Sequence, residues 1–162
     1  MARTEVATLA GGCFWGVEEL IRKLPGVIET TVGYTGGTTA APKYEDVKTG
    51  RTGHAESLEI KFDPDRVSYD AILDYFFRLH DPTTVNRQQN DVGTQYRSVI
   101  FYHDEVQREA AERAKERAQK KWAGPIVTQI VPVTQFWPAE EYHQDYLQRI
   151  PDGYSCHYVR PD

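Results

Sequence analysis

The chain of 162 residues predicts an α+β fold, with helices packed on a mainly antiparallel sheet. Strand-like and helix-like segments are mixed without strict alternation: residues 27–34 and 56–62 both read as strands, and no helical pattern separates them. No repeat, low-complexity tract or linker divides the chain, and its length suits one domain, residues 1–162, with a substantial core.

The elements follow in order. Residues 6–10 are a short apolar run, read as a buried strand, and Gly11-Gly12 makes a tight turn after it. Phe14, Val17, Leu20, Ile21 and Leu24 share one helix face, and Pro25-Gly26 stops that helix. Strand 27–34 is rich in Thr and Val. Residues 35–53 form a long, polar, Gly-rich loop, a length found mostly in functional or disordered segments. Leu58, Ile60 and Phe62 then alternate with Glu59 and Lys61, as in a half-buried strand. Ser68 caps a helix that carries Ile72, Leu73, Phe76 and Phe77 inward and ends near His80.

A second polar loop spans 83–95, and residues 96–102 read as a central strand. Residues 104–122 form a long helix with Val106, Ala110, Ala114 and Ala118 at four-residue steps. Its Arg113, Lys115, Lys120 and Lys121 read as a solvated face. Gly124-Pro125 ends it, residues 126–131 give another strand, and Pro138 opens a last helix through about Arg149. Residues 150–162 read as a mobile, irregular tail.

Composition narrows the function. Hydrophobic content of 40%, charged content of 27% and a net charge of −5 are those of a soluble protein and argue against a nucleic-acid or anionic-membrane partner. No stretch approaches the length of a membrane span, and no targeting segment is legible. Residues 9–13 loosely resemble a lipidation site, but Arg3 and Glu5 interrupt the apolar run that such a signal needs. Two cysteines do not make a disulfide scaffold, so a reducing cytoplasm is the expected compartment.

Chemistry concentrates on Cys13, which follows the Gly11-Gly12 turn and precedes Phe14-Trp15-Gly16. A strand-to-helix turn places it where unpaired N–H groups and the helix dipole favour an anion. The alternative is an inert buried thiol packing as a small hydrophobe. Glu56 shares strand parity with Leu58, Ile60 and Phe62; a carboxyl on that apolar face is desolvated and could hold a proton at neutral pH. The alternative is a strand-end carboxylate turned to water. Tyr44, Asp91 and Tyr96 lie in or beside the long loops, and alone each reads as a loop or packing residue.

His54-Ala55-Glu56 matches half of the zinc deaminase signature, but the P-C-x-x-C half is absent. No phosphate-loop or dinucleotide motif occurs, and neither a metal nor another cofactor is expected. A cysteine acyl-transfer enzyme stays open as the alternative. It needs a histidine to take the thiol proton, and five are available at unknown positions in space.

Four motifs together resemble the A-type peptide methionine sulfoxide reductases. They are Gly12-Cys13-Phe14-Trp15-Gly16, Gly53-His54-Ala55-Glu56, the run from Asn90 through Asp91 and Tyr96 to Ser98, and His143-Gln144-Asp145-Tyr146-Leu147. They occur in order along essentially the whole chain. The resemblance implies a two-layer sandwich with a ferredoxin-like core and extensive coil. It implies reduction of the S epimer of methionine sulfoxide, free or in proteins, as protein repair under oxidative stress. By that resemblance Cys13 is the nucleophile, Glu56 the acid, and Phe14 and Trp15 the wall around the substrate methyl. Tyr44 and Tyr96 donate to the sulfoxide oxygen, and Asp91 supports the pocket. Cys156, on the tail, is implied as the resolving cysteine that forms a disulfide with Cys13, recycled by thioredoxin or a similar dithiol. Some relatives carry two C-terminal cysteines; only Cys156 follows Cys13 here, so a one-step recycling by a monomer is expected.

Overall fold

The computed structural model of the protein describes residues 4–155 and 157–161. It shows a mixed α/β architecture in which β1 (Glu5–Gly11), α1 (Phe14–Ile21), β2 (Val27–Thr35), α2 (Tyr44–Val47) and β3 (Ala55–Phe62) make up the first half. α3 (Tyr69–Leu79), β4 (Arg87–Gln88), β5 (Asp91–Val92), β6 (Ser98–Tyr102), α4 (Glu105–Gln119), β7 (Gln129–Pro132), β8 (Trp137–Pro138) and α5 (Tyr146–Arg149) follow. Among the described residues, six strands form one sheet in the order β7-β6-β1-β3-β2-β8, and β4 pairs with β5 in a separate ribbon. Every pairing in the large sheet is antiparallel except β6 with β7, which α4 links as a parallel crossover.

Side-chain alternation divides the sheet into two unequal faces. Ala7 and Leu9 of β1, Leu58, Ile60 and Phe62 of β3, and Ile100 of β6 join the main core with Val17 and Ile21 of α1 and Ile72, Leu73 and Phe76 of α3. Ala10, Ala55, Val99 and Phe101 point the other way and form a small second cluster. The helix starts are fixed by side-chain caps: Ser68 Oγ accepts from Ala71 N (3.0 Å), and Asp104 Oδ1 accepts from Gln107 N (2.8 Å).

Three sequence expectations are corrected here. Val106 does not line the buried stripe of α4 but is 73% exposed, while Ala110, Ala111, Ala114 and Ala118 are buried. Four-residue steps drift by about 40° each around an α-helix, so residue 106 has left the face that residue 118 occupies. Tyr96 lies in a 3₁₀ turn (Thr94–Tyr96) rather than in the strand, which begins at Ser98.

The expected helix from Pro138 to Arg149 is replaced by edge strand β8, a 3₁₀ turn (Glu141–His143) and the short α5. Gly33 lets this segment approach β2, since a Cβ there would lie 2.5 Å from the Trp137 carbonyl oxygen. Gln144 then continues the pairing with its side chain: its amide accepts from Val32 N (2.9 Å) and donates to Val32 O (2.9 Å). Asp145 takes a left-handed φ of 53°, which turns the chain into α5.

The pairings Gly11↔Ser98 and Thr35↔Ala55 put the end of β1, the end of β2, and the starts of β3 and β6 at one edge of the sheet. The two long loops meet at that edge: Thr94 Oγ1 donates to Gly50 O (3.2 Å) and Gln95 Nε2 to Lys48 O (3.1 Å).

Candidate active site

Cys13 is the residue from which α1 starts, with extended-type backbone angles (φ −55°, ψ 122°) and 7% of its surface exposed. Gly12 before it has φ +98°, and a Cβ at that position would lie 2.6 Å from Gln88 Cγ. The thiol therefore stands where backbone N–H groups are left over at a helix start. One of those donors does not serve the sulfur: Phe14 N donates to Glu56 Oε1 (3.2 Å). A single hydrogen bond thus ties the residue after Cys13 to the buried carboxyl.

Glu56 sits near the start of β3 opposite Tyr34 and is 1% exposed, so its parity expectation resolves to the apolar side. Burial pushes its pKa up to about 8; the Phe14 N–H opposes this and the Asp91 charge adds to it. At pH 7 the carboxyl is mostly protonated. Its Oε2 has no hydrogen-bond partner among the described residues. With Oε1 accepting from Phe14, the carboxyl proton belongs on Oε2.

Tyr44 opens α2 and Tyr96 ends its 3₁₀ turn. Burial raises both pKa values, Tyr44 to about 12, and the charges of Glu56, Asp91 and Cys13 raise them further. Both hydroxyls therefore stay protonated donors at neutral pH. The same electrostatics place Cys13, Tyr44, Glu56, Asp91 and Tyr96 in one cluster, although the five come from four separate stretches of chain.

Aromatic rings surround the cluster. Phe14 meets Tyr34 (centroids 5.7 Å apart) and His143 (5.3 Å). Trp15 stacks on Tyr146 at 3.9 Å, and its Nε1–H donates to His143 Nδ1 (3.0 Å). His143 also lies 4.5 Å from the Tyr44 ring. Burial pushes the His143 pKa down, so the ring is neutral at pH 7. Accepting at Nδ1 fixes its proton on Nε2, which has no partner among the described residues. Glu140 secures this wall: its carboxylate accepts from Tyr34 Oη (2.8 Å), Tyr44 N (3.0 Å) and Tyr142 Oη (3.3 Å).

The structure therefore brings Cys13, Phe14, Trp15, Tyr44, Glu56, Asp91 and Tyr96 to one edge of the sheet. Cys156 lies outside the described residues. Residue-by-residue reading missed His143, Tyr34, Glu140 and Tyr146 as site residues; the only signal was the motif from His143 to Leu147, which named the segment without placing it. A cavity of about 760 Å³ lies elsewhere, between α3 and α4 beside Arg78, Arg117 and Trp122. It holds none of the groups above.

The family model for peptide methionine sulfoxide reductase matches residues 5–162. The chain belongs to that family. It is 54% identical over 164 residues to the peptide methionine sulfoxide reductase MsrA of Nocardia farcinica, covering 100% of this chain and 94% of that protein. Its structure is similar to that of Mxr1 from Saccharomyces cerevisiae in reduced form, with a TM-score of 0.94 at 40% identity, over 98% of this chain and 93% of that one. Mxr1 in complex with Trx2 matches with a TM-score of 0.68 at 30% identity, over 98% and 91% of the two chains. As a peptide methionine sulfoxide reductase the chain catalyses thiol-dependent reduction of methionine sulfoxide, and the acyl-transfer alternative falls away.

Proposed function

We propose that Cys13 and Glu56 are the catalytic pair and that Phe14, Trp15, Tyr44, Asp91 and Tyr96 bind the sulfoxide. The observation that carries this is the buried Glu56 carboxyl, hydrogen-bonded to the amide that follows Cys13 and with no partner for its second oxygen among the described residues. The Cys13 sulfur attacks the sulfoxide sulfur. Negative charge grows on the sulfoxide oxygen, where the Tyr44 and Tyr96 hydroxyls donate. Glu56 supplies a proton, which a carboxylate could not do. Phe14 and Trp15 exclude water around the substrate methyl. The oxygen transfers to Cys13 as hydroxyl, methionine leaves, and the enzyme holds a sulfenic acid: the sulfoxide gains the two electrons that the thiol loses.

Cys156 then resolves the sulfenic acid, giving a Cys13–Cys156 disulfide and water. Tail residues 150–162 are the segment that moves in this step. A thioredoxin-type dithiol reduces the disulfide by exchange, a role supported by the Trx2 complex of Mxr1. A donor of that kind supports a cytoplasmic setting, and one chain supplies every group of the site, as a monomer would.

We also read the core as ferredoxin-like, in a two-layer sandwich. Support comes from the order β6-β1-β3-β2 with α1 between β1 and β2 and α3 between β3 and β6, a split βαβ arrangement used twice.

The test is mass analysis after adding methionine sulfoxide without reductant. The expected result is one methionine and one Cys13–Cys156 disulfide per chain. Methionine release from a Cys13→Ser chain would overturn the assignment of the nucleophile.

A further inference from the structure

The chain returns to the first turn of α1 after α5. His157 Nε2–H donates to the Gly11 carbonyl oxygen (2.7 Å), and His157 N donates to Ser155 Oγ (3.2 Å). The surface beneath these two residues is made of glycine. A Cβ on Gly16 would collide with His157 Nδ1 and lie 2.7 Å from Ser155 Oγ; one on Gly12 would lie 3.2 Å from His157 Nε2. Gly16 sits in the first turn of α1, where alanine is ordinarily the better helix former. Its lack of a side chain is explained by what lies on it. Further along, Arg160 N donates to Arg78 O (2.9 Å), Arg78 Nε donates to Arg160 O (2.8 Å), and the Arg160 guanidinium covers the Trp122 ring at 5.3 Å. The tail is thus fastened at two points, and Cys156 stands between Ser155 and His157 in the sequence.

We propose that Gly12 and Gly16 form a seat for the tail and that His157 is its latch, a positioning residue for the step in which Cys156 resolves Cys13. This rests on the assignment of Cys156 as the resolving cysteine. In that step Cys13–S–OH and Cys156–S–H become a disulfide and water. The S–O bond breaks, the thiol proton leaves with the hydroxyl, and no other oxidant or reductant enters. The two residues are far apart along the chain, so their meeting depends on how often the tail is in place. The Gly11–His157 hydrogen bond raises that fraction, and the glycines make room for it.

The experiment mixes enzyme with methionine sulfoxide in the absence of reductant and follows three signals: methionine release, sulfenic acid trapped by dimedone, and disulfide by mass. His157→Ala should release methionine at the parental rate but form disulfide about three- to tenfold more slowly, the worth of one hydrogen bond. Trapped sulfenic acid should rise to match. Gly16→Ala should act in the same way, and the double variant should fall short of the product of the two single effects, because with the ring gone the added methyl meets only Ser155 Oγ and the Cβ of residue 157. Parental or faster disulfide formation in His157→Ala overturns the latch, and so do a slowed methionine release in that variant or additive effects in the double. If Gly16→Ala does not fold, His157→Ala decides alone. Cys156→Ser separates the two assignments: undiminished cycling with a dithiol donor removes Cys156, whereas arrest after one turnover beside unaffected latch variants removes only the latch.

Discussion

The acid role proposed for Glu56 rests on burial and the Asp91 charge, which disfavour its ionised form more than the Phe14 N–H favours it. Its pKa of about 8 arises first from burial, so the single-turnover rate should fall as pH rises through about 8. Glu56→Gln should lose that alkaline limb and slow the reductive step by about 10²–10⁴-fold, the usual worth of a general acid. An unchanged rate in stopped-flow methionine release would point to another proton source. The same shift affects stability. The native carboxyl holds its proton between the unfolded value of 4.5 and about 8, so unfolding in that window releases a proton and is favoured as pH rises. Glu56→Gln should therefore gain melting temperature relative to the parent on going from pH 5 to pH 8. A constant difference across that range, by calorimetry, would contradict the raised pKa. At this scale the sequence was informative where a residue's neighbours along the chain decide its environment. Strand parity placed Glu56, and the glycine turn placed Cys13. The donor to Glu56 was not legible, because the Phe14 amide comes from a different element.

The segment from β8 to α5 shows where local pattern is overruled. Pro138 followed by two glutamates reads as a helix start, yet Gly33 admits the chain as an edge strand and Gln144 hydrogen-bonds β2 through its side chain. Those partners lie about a hundred residues upstream, so no window of local sequence contains them. Gln144→Ala should strand the Val32 N–H, while the Val32 carbonyl keeps its bond from Ala139 N (2.9 Å), and cost about 1–3 kcal/mol in urea denaturation. It should also loosen His143 and Tyr146 from Trp15, seen as a shift in tryptophan emission; a variant with parental stability and emission would show that the side chain is dispensable. Glu18 supports the same corner, accepting from Asp145 N (2.8 Å) and Thr30 Oγ1 (2.8 Å) while burial pushes its pKa up to about 7. Elements whose signals are local, such as α3 with its Ser68 cap, matched expectation closely.

Across the whole molecule, the proposed scheme separates reduction, which needs Cys13 and Glu56, from recycling, which needs Cys156 as well. Cys156→Ser should complete one turnover at the parental rate and then stop under thioredoxin-driven cycling. Undiminished steady-state rates would remove Cys156 from the scheme. The sheet order that gathers β1, β2, β3 and β6 at one edge was not readable from the sequence, since pairing partners are set by long-range packing. The motifs named the participants without giving their distances.

The Phe14–Glu56 hydrogen bond has a consequence for the other sulfur epimer of the substrate. In the proposed scheme it holds a thiol, an acid and an oily wall as three unlike points, and three unlike points have a hand. A sulfur of opposite configuration cannot turn its oxygen to the acid and its methyl to the wall while also facing the thiol. An equal mixture of the two sulfur epimers should therefore be consumed to about one half and no further.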